Sequence, residues 1–286
     1  LDGRRDAPVC IGGLHWAWRH SPCKDAPRGI VVPPRTAACR IEPTAPMPPS
    51  SPCILRATAR NRVVVAYAVS PSRAASILPH GLTPTTHDGQ AYASLVGVEL
   101  TDVRVLGLSG PGLRRVPMME MRVHARLSER RSDATGTWTV QAHVPRRLVA
   151  WGARWLYGEP VRVASMQPVR RERAGHVEVT YRFDSKGREQ RLRVRAEKPP
   201  AMPASDAASH AVLRPACRFG IDQKDRLLQT RIDRSAAPLH PVCEHHVTID
   251  APAVYGEAGR LIEGAAPARA FLSPEEPVAL HWRTRV

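Results

Sequence analysis

The sequence predicts an α+β fold in which antiparallel strands dominate and form a curved sheet or barrel. Three observations carry this. Residues 118–127 alternate: Met119, Met121, Val123, Ala125 and Leu127 face one way, Glu120, Arg122, His124 and Arg126 the other. That is the period of a strand with one buried face. Turn signals at Asp88-Gly89 and Ser185-Lys186-Gly187 each lie between two extended runs, as in hairpins. One segment alone has strong helical amphipathicity, against many with strand character.

Taken in order, Ser70 is an N-cap and Pro71 a first helical residue. That helix is predicted to run to about Leu78 and to stop at Pro79-His80-Gly81. Residues 90–105, after the Asp88-Gly89 turn, are rich in Val and Leu and read as a strand. Pro111-Gly112 marks a loop before strand 118–127. Residues 137–144 alternate too, with Trp138, Val140, Ala142 and Val144 on one side. Pro145 opens the amphipathic helix, 146–157, in which Leu148, Trp151, Gly152, Trp155 and Leu156 recur at helical spacing. Gly158 ends it. Strands are predicted at 161–166, 176–183 and 190–197. Ser205 or Asp206 caps a short helix to about Leu213, and strands at 227–233, 242–249 and 277–282 close the fold.

The chain has 286 residues, 43% hydrophobic and 24% charged, enough for a buried core. Residues 1–52 are rich in Pro and Gly and show no period. They read as a disordered extension, or as upstream translation with Met47 as the start, ahead of one domain at 53–286. No apolar run approaches the roughly 20 residues of a membrane span, so no membrane partner is expected; a small disulfide-bonded module at 1–52 would need an oxidising compartment that nothing else supports, so a cytoplasmic location is the default. The formal charge is +16, yet only Lys24, Lys186, Lys198 and Lys224 are lysines. The arginines are scattered and do not alternate with aromatics, so nucleic-acid binding is not expected. None of the six cysteines has CxxC spacing, which excludes zinc-ribbon and thioredoxin motifs. His240, Cys243, His245 and His246 cluster in sequence, but on a strand Cys243 and His245 share a face that His246 leaves, so no metal is expected, nor any other cofactor.

The stretch LPHGLTPTTHDGQAYASLVGVELTDVRVLG at 78–107 and VPRRLVAWGARWLYGE at 144–159 resemble the bacterial family called domain of unknown function 2071, or YqjF-like. The resemblance extends over roughly 54–282. That family is grouped with the acetoacetate decarboxylase-like superfamily, which implies a β-cone or double barrel around a small pocket. In the decarboxylases a lysine after a proline forms a Schiff base; the similar position here follows Pro145 and is Arg146. A guanidinium stays protonated and cannot supply the neutral amine, so the resemblance does not carry Schiff-base decarboxylation with it. Two departures stand out. The family's Glu-Val-Asn-Leu-Arg stretch is matched by Met118–Arg122, with Glu120 at the asparagine position. Its Glu-His and His-Pro-x-Trp stretches are matched by segments around Cys217-Arg218-Phe219 and Arg234-Ser235, which implies a pocket that has lost polar groups.

Glu120, Arg122 and His124 share a strand face. In a closed barrel Arg122 could grip a carboxylate with both guanidinium arms; the plainer alternative is a solvent-exposed face. Arg146, at a helix start that favours anions, is a third ligand candidate. Three functions stay open: a binder of a small anionic or carbonyl metabolite, an enzyme using Glu120 for acid-base work with Arg122 as anion holder, and a basic protein binding nucleic acid or an acidic partner. An oligomer is compatible with all three.

Overall fold

The computed structural model describes residues 51–286 apart from 111, 129–134, 203–206 and 236. The expectations for residues 1–50, and the capping by Ser205 or Asp206, lie outside the described residues. A long first strand, β1 (Cys53–Val69), leads through one helical turn, α1 (Pro71–Ala75), and two short strands, β2 (Leu82–Pro84) and β3 (Thr86–His87), into β4 (Gln90–Val105). β5 (Arg115–Leu127) and β6 (Thr135–Val144) follow, then α2 (Arg147–Tyr157) and β7 (Val161–Val163). A three-strand meander comes next: β8 (Met166–Arg173), β9 (His176–Ser185) and β10 (Arg188–Glu197). The chain closes with α3 (Ala207–Leu213), β11 (Cys217–Ile221), β12 (Leu227–Arg234), β13 (Val242–Thr248), α4 (Ala251–Tyr255), a 3-10 turn (Gly256–Leu261), β14 (Arg269–His281) and β15 (Thr284–Arg285).

Seven strands close on themselves in the order β5-β4-β1-β14-β12-β11-β6, with β6 returning to β5. All neighbours are antiparallel except β11 and β6. The second sheet, β13-β10-β9-β8, is antiparallel throughout. The expected α+β barrel is what forms. Both hairpin signals hold their turns: Asp88 and Gly89, and Lys186 and Gly187, all have positive φ, as a type I′ turn demands.

The second sheet covers one outer side of the barrel. Val65, Leu95, Met119 and Met121 pack there against Val179, Tyr181, Phe183 and Leu192. Tyr181 lies over Gly97, where an added Cβ would sit 2.4 Å from the ring; only a bare backbone admits it. β5 is therefore buried on both faces, its apolar side against the second sheet and its polar side inside the barrel. A seven-strand barrel is just wide enough for side chains to fill it.

The structure corrects two of the strand expectations and orients the amphipathic helix. Val140 is left out of the β5–β6 ladder, because Met121 pairs with Gln141 and Arg122 with Thr139. This bulge breaks the one-sided alternation of 137–144. Thr139 faces the barrel interior, while His143 turns outward onto Phe183 and Tyr255. The closing strand starts at Arg269, not 277, since Pro274 and Pro277 interrupt the pattern but not the pairing with β1. Last, α2 forms as predicted but with its apolar stripe outward: Leu148 is 84%, Trp151 65% and Trp155 56% exposed, whereas Ala150 and Tyr157 are buried.

Candidate functional site

The barrel interior holds a network of buried charge built from five strands and one loop. Glu120 of β5 is fully buried, with Oε1 taken by Arg122 and Oε2 by Arg218 of β11. Arg218 also donates to Thr139 Oγ1 at 2.9 Å and pairs with Glu159 at 2.8 Å. A second knot lies beside it: Arg62 of β1 is 2.6 Å and Arg234 of β12 2.5 Å from Glu276 of β14. Arg62 reaches the interior because β1 bulges at Asn61, which sits at φ 51 and shifts the register between Arg60 and Val63. Asparagine tolerates this left-handed conformation better than most residues.

Four guanidiniums thus meet three carboxylates. Burial pushes the Glu120 carboxyl up, but Arg122 and Arg218 outweigh it and hold Glu120 below the ordinary range. Glu159 goes the other way: burial raises it, and Arg218 does not fully restore it. Burial lowers Arg122 and Arg234 to about 10, which leaves both charged at neutral pH. Nε of each is buried and without a hydrogen-bond partner among the described residues.

Two buried histidines, His124 inside the barrel and His143 on its outer side, make stability depend on pH. Burial, with Arg122 adding repulsion, lowers His124 to about 3, and its Nε2 lies 2.8 Å from Ser94 Oγ. Burial, with Arg162 adding to it, lowers His143 to about 4. Both fold neutral, so the unfolded chain binds more protons below the ordinary histidine value of 6.5. Their stabilisation is complete above that value and is lost as pH falls towards their folded values. Each is expected to cost about 1.4 kcal/mol per pH unit below about 6. Urea unfolding of wild type and His124→Gln between pH 7 and 5 checks this: the variant's stability declines less steeply, and equal slopes would refute the assignment.

Of the residues singled out from sequence, Glu120, Arg122 and His124 come together inside the barrel. The alternative of a solvent-exposed face is overturned for these three, because barrel closure buries Glu120, Arg122 and His124; Arg126, further along the same side, stays exposed. Arg146 stands apart, exposed at the start of α2. The segments around Cys217 and Arg234, which lack the family's polar stretches, bring polar groups of their own. Those segments supply Arg218 and Arg234, two of the four buried guanidiniums. Sequence reasoning missed Arg62, Glu159 and Glu276 altogether. One signal was available for Arg62, a charge at the head of the apolar run Val63–Val69. His240 is buried, with Nδ1 2.9 Å from Glu197 O, while Cys243, His245 and His246 are exposed along β13.

One cleft reaches this network from outside. It measures about 520 Å³ and is walled by Trp138, Trp155, Arg154, Lys224 and Arg283, with Glu159 among its lining residues. Arg226 and Asp222 pair with each other at its rim, 2.7 Å apart. Glu159 therefore touches both the cleft and, through Arg218, the buried Glu120.

A family model described as an uncharacterized conserved protein, DUF2071, matches residues 56–277. The chain belongs to this family. No curated protein matches it in sequence. Among solved structures, the enduracididine biosynthesis enzyme MppR, complexed with the condensation product of pyruvate and imidazole 4-carboxaldehyde, superposes with a TM-score of 0.59 at 16% identity. That match covers 82% of this chain and 90% of MppR. An acetoacetate decarboxylase-like enzyme from Sphingomonas wittichii RW1 gives 0.57 at 14% identity, over 82% of this chain and 93% of that one. The acetoacetate decarboxylase of Legionella pneumophila gives 0.55 at 15%, over 86% and 93%. At these identities the likeness is one of fold: this DUF2071 member has the acetoacetate decarboxylase-like barrel.

Proposed function

We propose that this DUF2071 protein binds a small carboxylate-bearing or carbonyl metabolite at the barrel end where the cleft meets Glu159. The observation that carries the reading is the charge imbalance in the interior, four guanidiniums against three carboxylates. A buried charge without a counter-charge costs several kcal/mol, and an anionic ligand would offset it. The unpartnered Nε groups of Arg122 and Arg234 point to the same deficit. Protonation of Glu159, which burial favours, increases it.

Schiff-base decarboxylation does not belong to this proposal. Arg146 occupies the position after Pro145, Lys186 and Lys224 are exposed, and Lys198 is paired with Glu172 at the surface. Acid-base work by Glu120 is disfavoured as well, since both its oxygens are held by guanidiniums that keep it ionised and weakly basic. If catalysis occurs, Glu159 is the better acid. It is the carboxyl with the raised affinity for a proton, and it lines the cleft.

A thermal-shift series tests the binding reading. Small keto acids and carboxylates are compared with their neutral amides at fixed ionic strength. A ligand that prefers the folded state raises Tm by mass action. The acids are expected to raise Tm and the amides to leave it unchanged, with the response lost in Arg122→Lys, which keeps a charge but not the planar fork. Equal responses to acids and amides would refute the proposal.

A further inference from the structure

Helix α2 presents to solvent the stripe that an ordinary amphipathic helix buries. Leu148, Trp151 and Trp155 stand at spacings of three and four residues on the outward side, and the two indoles lie parallel with centroids 6.1 Å apart. Among the described residues they are three of the most exposed large apolar side chains. Exposing such side chains together is unfavourable in water and marks an interaction face. The same helix turns only Ala150 and Tyr157 fully inward.

The chemistry of the flanks selects the partner. Residues 143–158 contain no Asp or Glu, but they contain Arg146, Arg147 and Arg154. Arg283 joins the C-terminal end of the stripe by donating to Trp155 O at 2.9 Å. Trp282, which precedes Arg283 in the chain, is partly exposed as well. A second copy docking face to face would set these arginines against their own images, in a chain whose formal charge is already +16. Three side chains of one helix also fall short of the roughly 800 Å² per partner that a stable dimer buries. An anionic lipid surface meets both conditions. Tryptophan rings favour the headgroup layer, leucine enters the acyl boundary, and arginine side chains lay their stems on apolar surface while their heads pair with lipid phosphate.

We infer that α2 is a reversible docking element for an anionic lipid surface, lying in the headgroup plane on Leu148, Trp151 and Trp155. Among the described residues no helix is long and apolar enough to cross a membrane, and none is needed for this. A short helix of this kind binds weakly by itself; the basic surface around it supplies the second, electrostatic contribution.

Co-sedimentation of the full chain with phosphatidylcholine vesicles, with and without phosphatidylglycerol, tests the inference. Pelleting is expected only with the anionic vesicles and is expected to weaken as salt rises. The double variant Leu148→Ser/Trp151→Ser changes exposed positions only, so its Tm should match wild type while its vesicle affinity falls about tenfold or more. Trp155, which also walls the cleft, is left in place, so the ligand-dependent Tm response serves as an independent readout. Three results would overturn the inference: no pelleting with anionic vesicles, equal pelleting of wild type and double variant, or a dimer in size-exclusion chromatography that the double variant abolishes.

Discussion

Glu120→Ala is expected to lower the unfolding free energy by about 3–5 kcal/mol, the usual cost of removing one partner from a buried ion pair. The size follows from what is left behind. Among the described residues Glu120 is the one carboxylate paired with both Arg122 and Arg218, and its removal leaves two guanidiniums facing each other with Glu159 as their remaining counter-charge in that knot. Water cannot reach them at little cost, since Glu120, Arg122 and Arg218 are all buried. Glu120→Gln keeps the shape and one acceptor, and is expected to lose less than the alanine variant. Urea unfolding of the three proteins at pH 7 measures the order. An alanine variant within about 1 kcal/mol of wild type would mean that the network is solvated and behaves as a surface pair.

The same network explains why the sequence disclosed the fold better than the site. Strand and turn signals are local: Met119 to Leu127 alternates within nine residues, and Lys186-Gly187 sets its hairpin unaided. The site is not local. Glu120 and Arg218 are 98 residues apart, and Arg62 and Glu276 are 214 apart. Each looks like a stray charge in its own segment until barrel closure brings the strands together. Two bulges deepen the difficulty. At Asn61 and at Val140 one extra residue reverses which side of the strand faces in, so counting by twos misassigns Arg62 and Thr139. Helix α2 shows the converse. Its period was legible, but period alone does not say which way the stripe turns, and Ala150, Ala153 and Tyr157 offer a narrower face that fits closer to the barrel. The strand pattern allows a curved sheet or a barrel; the resemblance of 78–107 and 144–159 to DUF2071 narrows that choice to a β-cone or double barrel.

Gly158→Ala carries the second large effect, and it tests how helix and network are joined. Gly158 ends α2 at φ 65, a left-handed cap that glycine adopts at little cost and other residues adopt with strain. An added Cβ would lie 2.1 Å from Ile221 O, a backbone atom of β11 that cannot rotate away. Across the contact, a Cβ on Gly220 would lie 2.3 Å from Tyr157 O. The two glycines let the end of α2 cross β11 backbone against backbone. That crossing places Glu159, the next residue, 2.8 Å from Arg218 on the same strand. The alanine variant must push β11 away or unwind the helix end, and it is expected to lose about 3 kcal/mol or more. Gly152→Ala is the control. It sits within the same helix with nothing within 4 Å of the added atom, and is expected to gain about 0.5–1 kcal/mol from helix propensity. Because the strain falls between Glu159 and Arg218, Gly158→Ala should also blunt the Tm response to carboxylates while leaving lipid docking by Leu148 and Trp151 intact. A Gly158→Ala protein as stable as Gly152→Ala, with an undiminished carboxylate response, would show that the crossing has room to spare and that the helix end does not position the site.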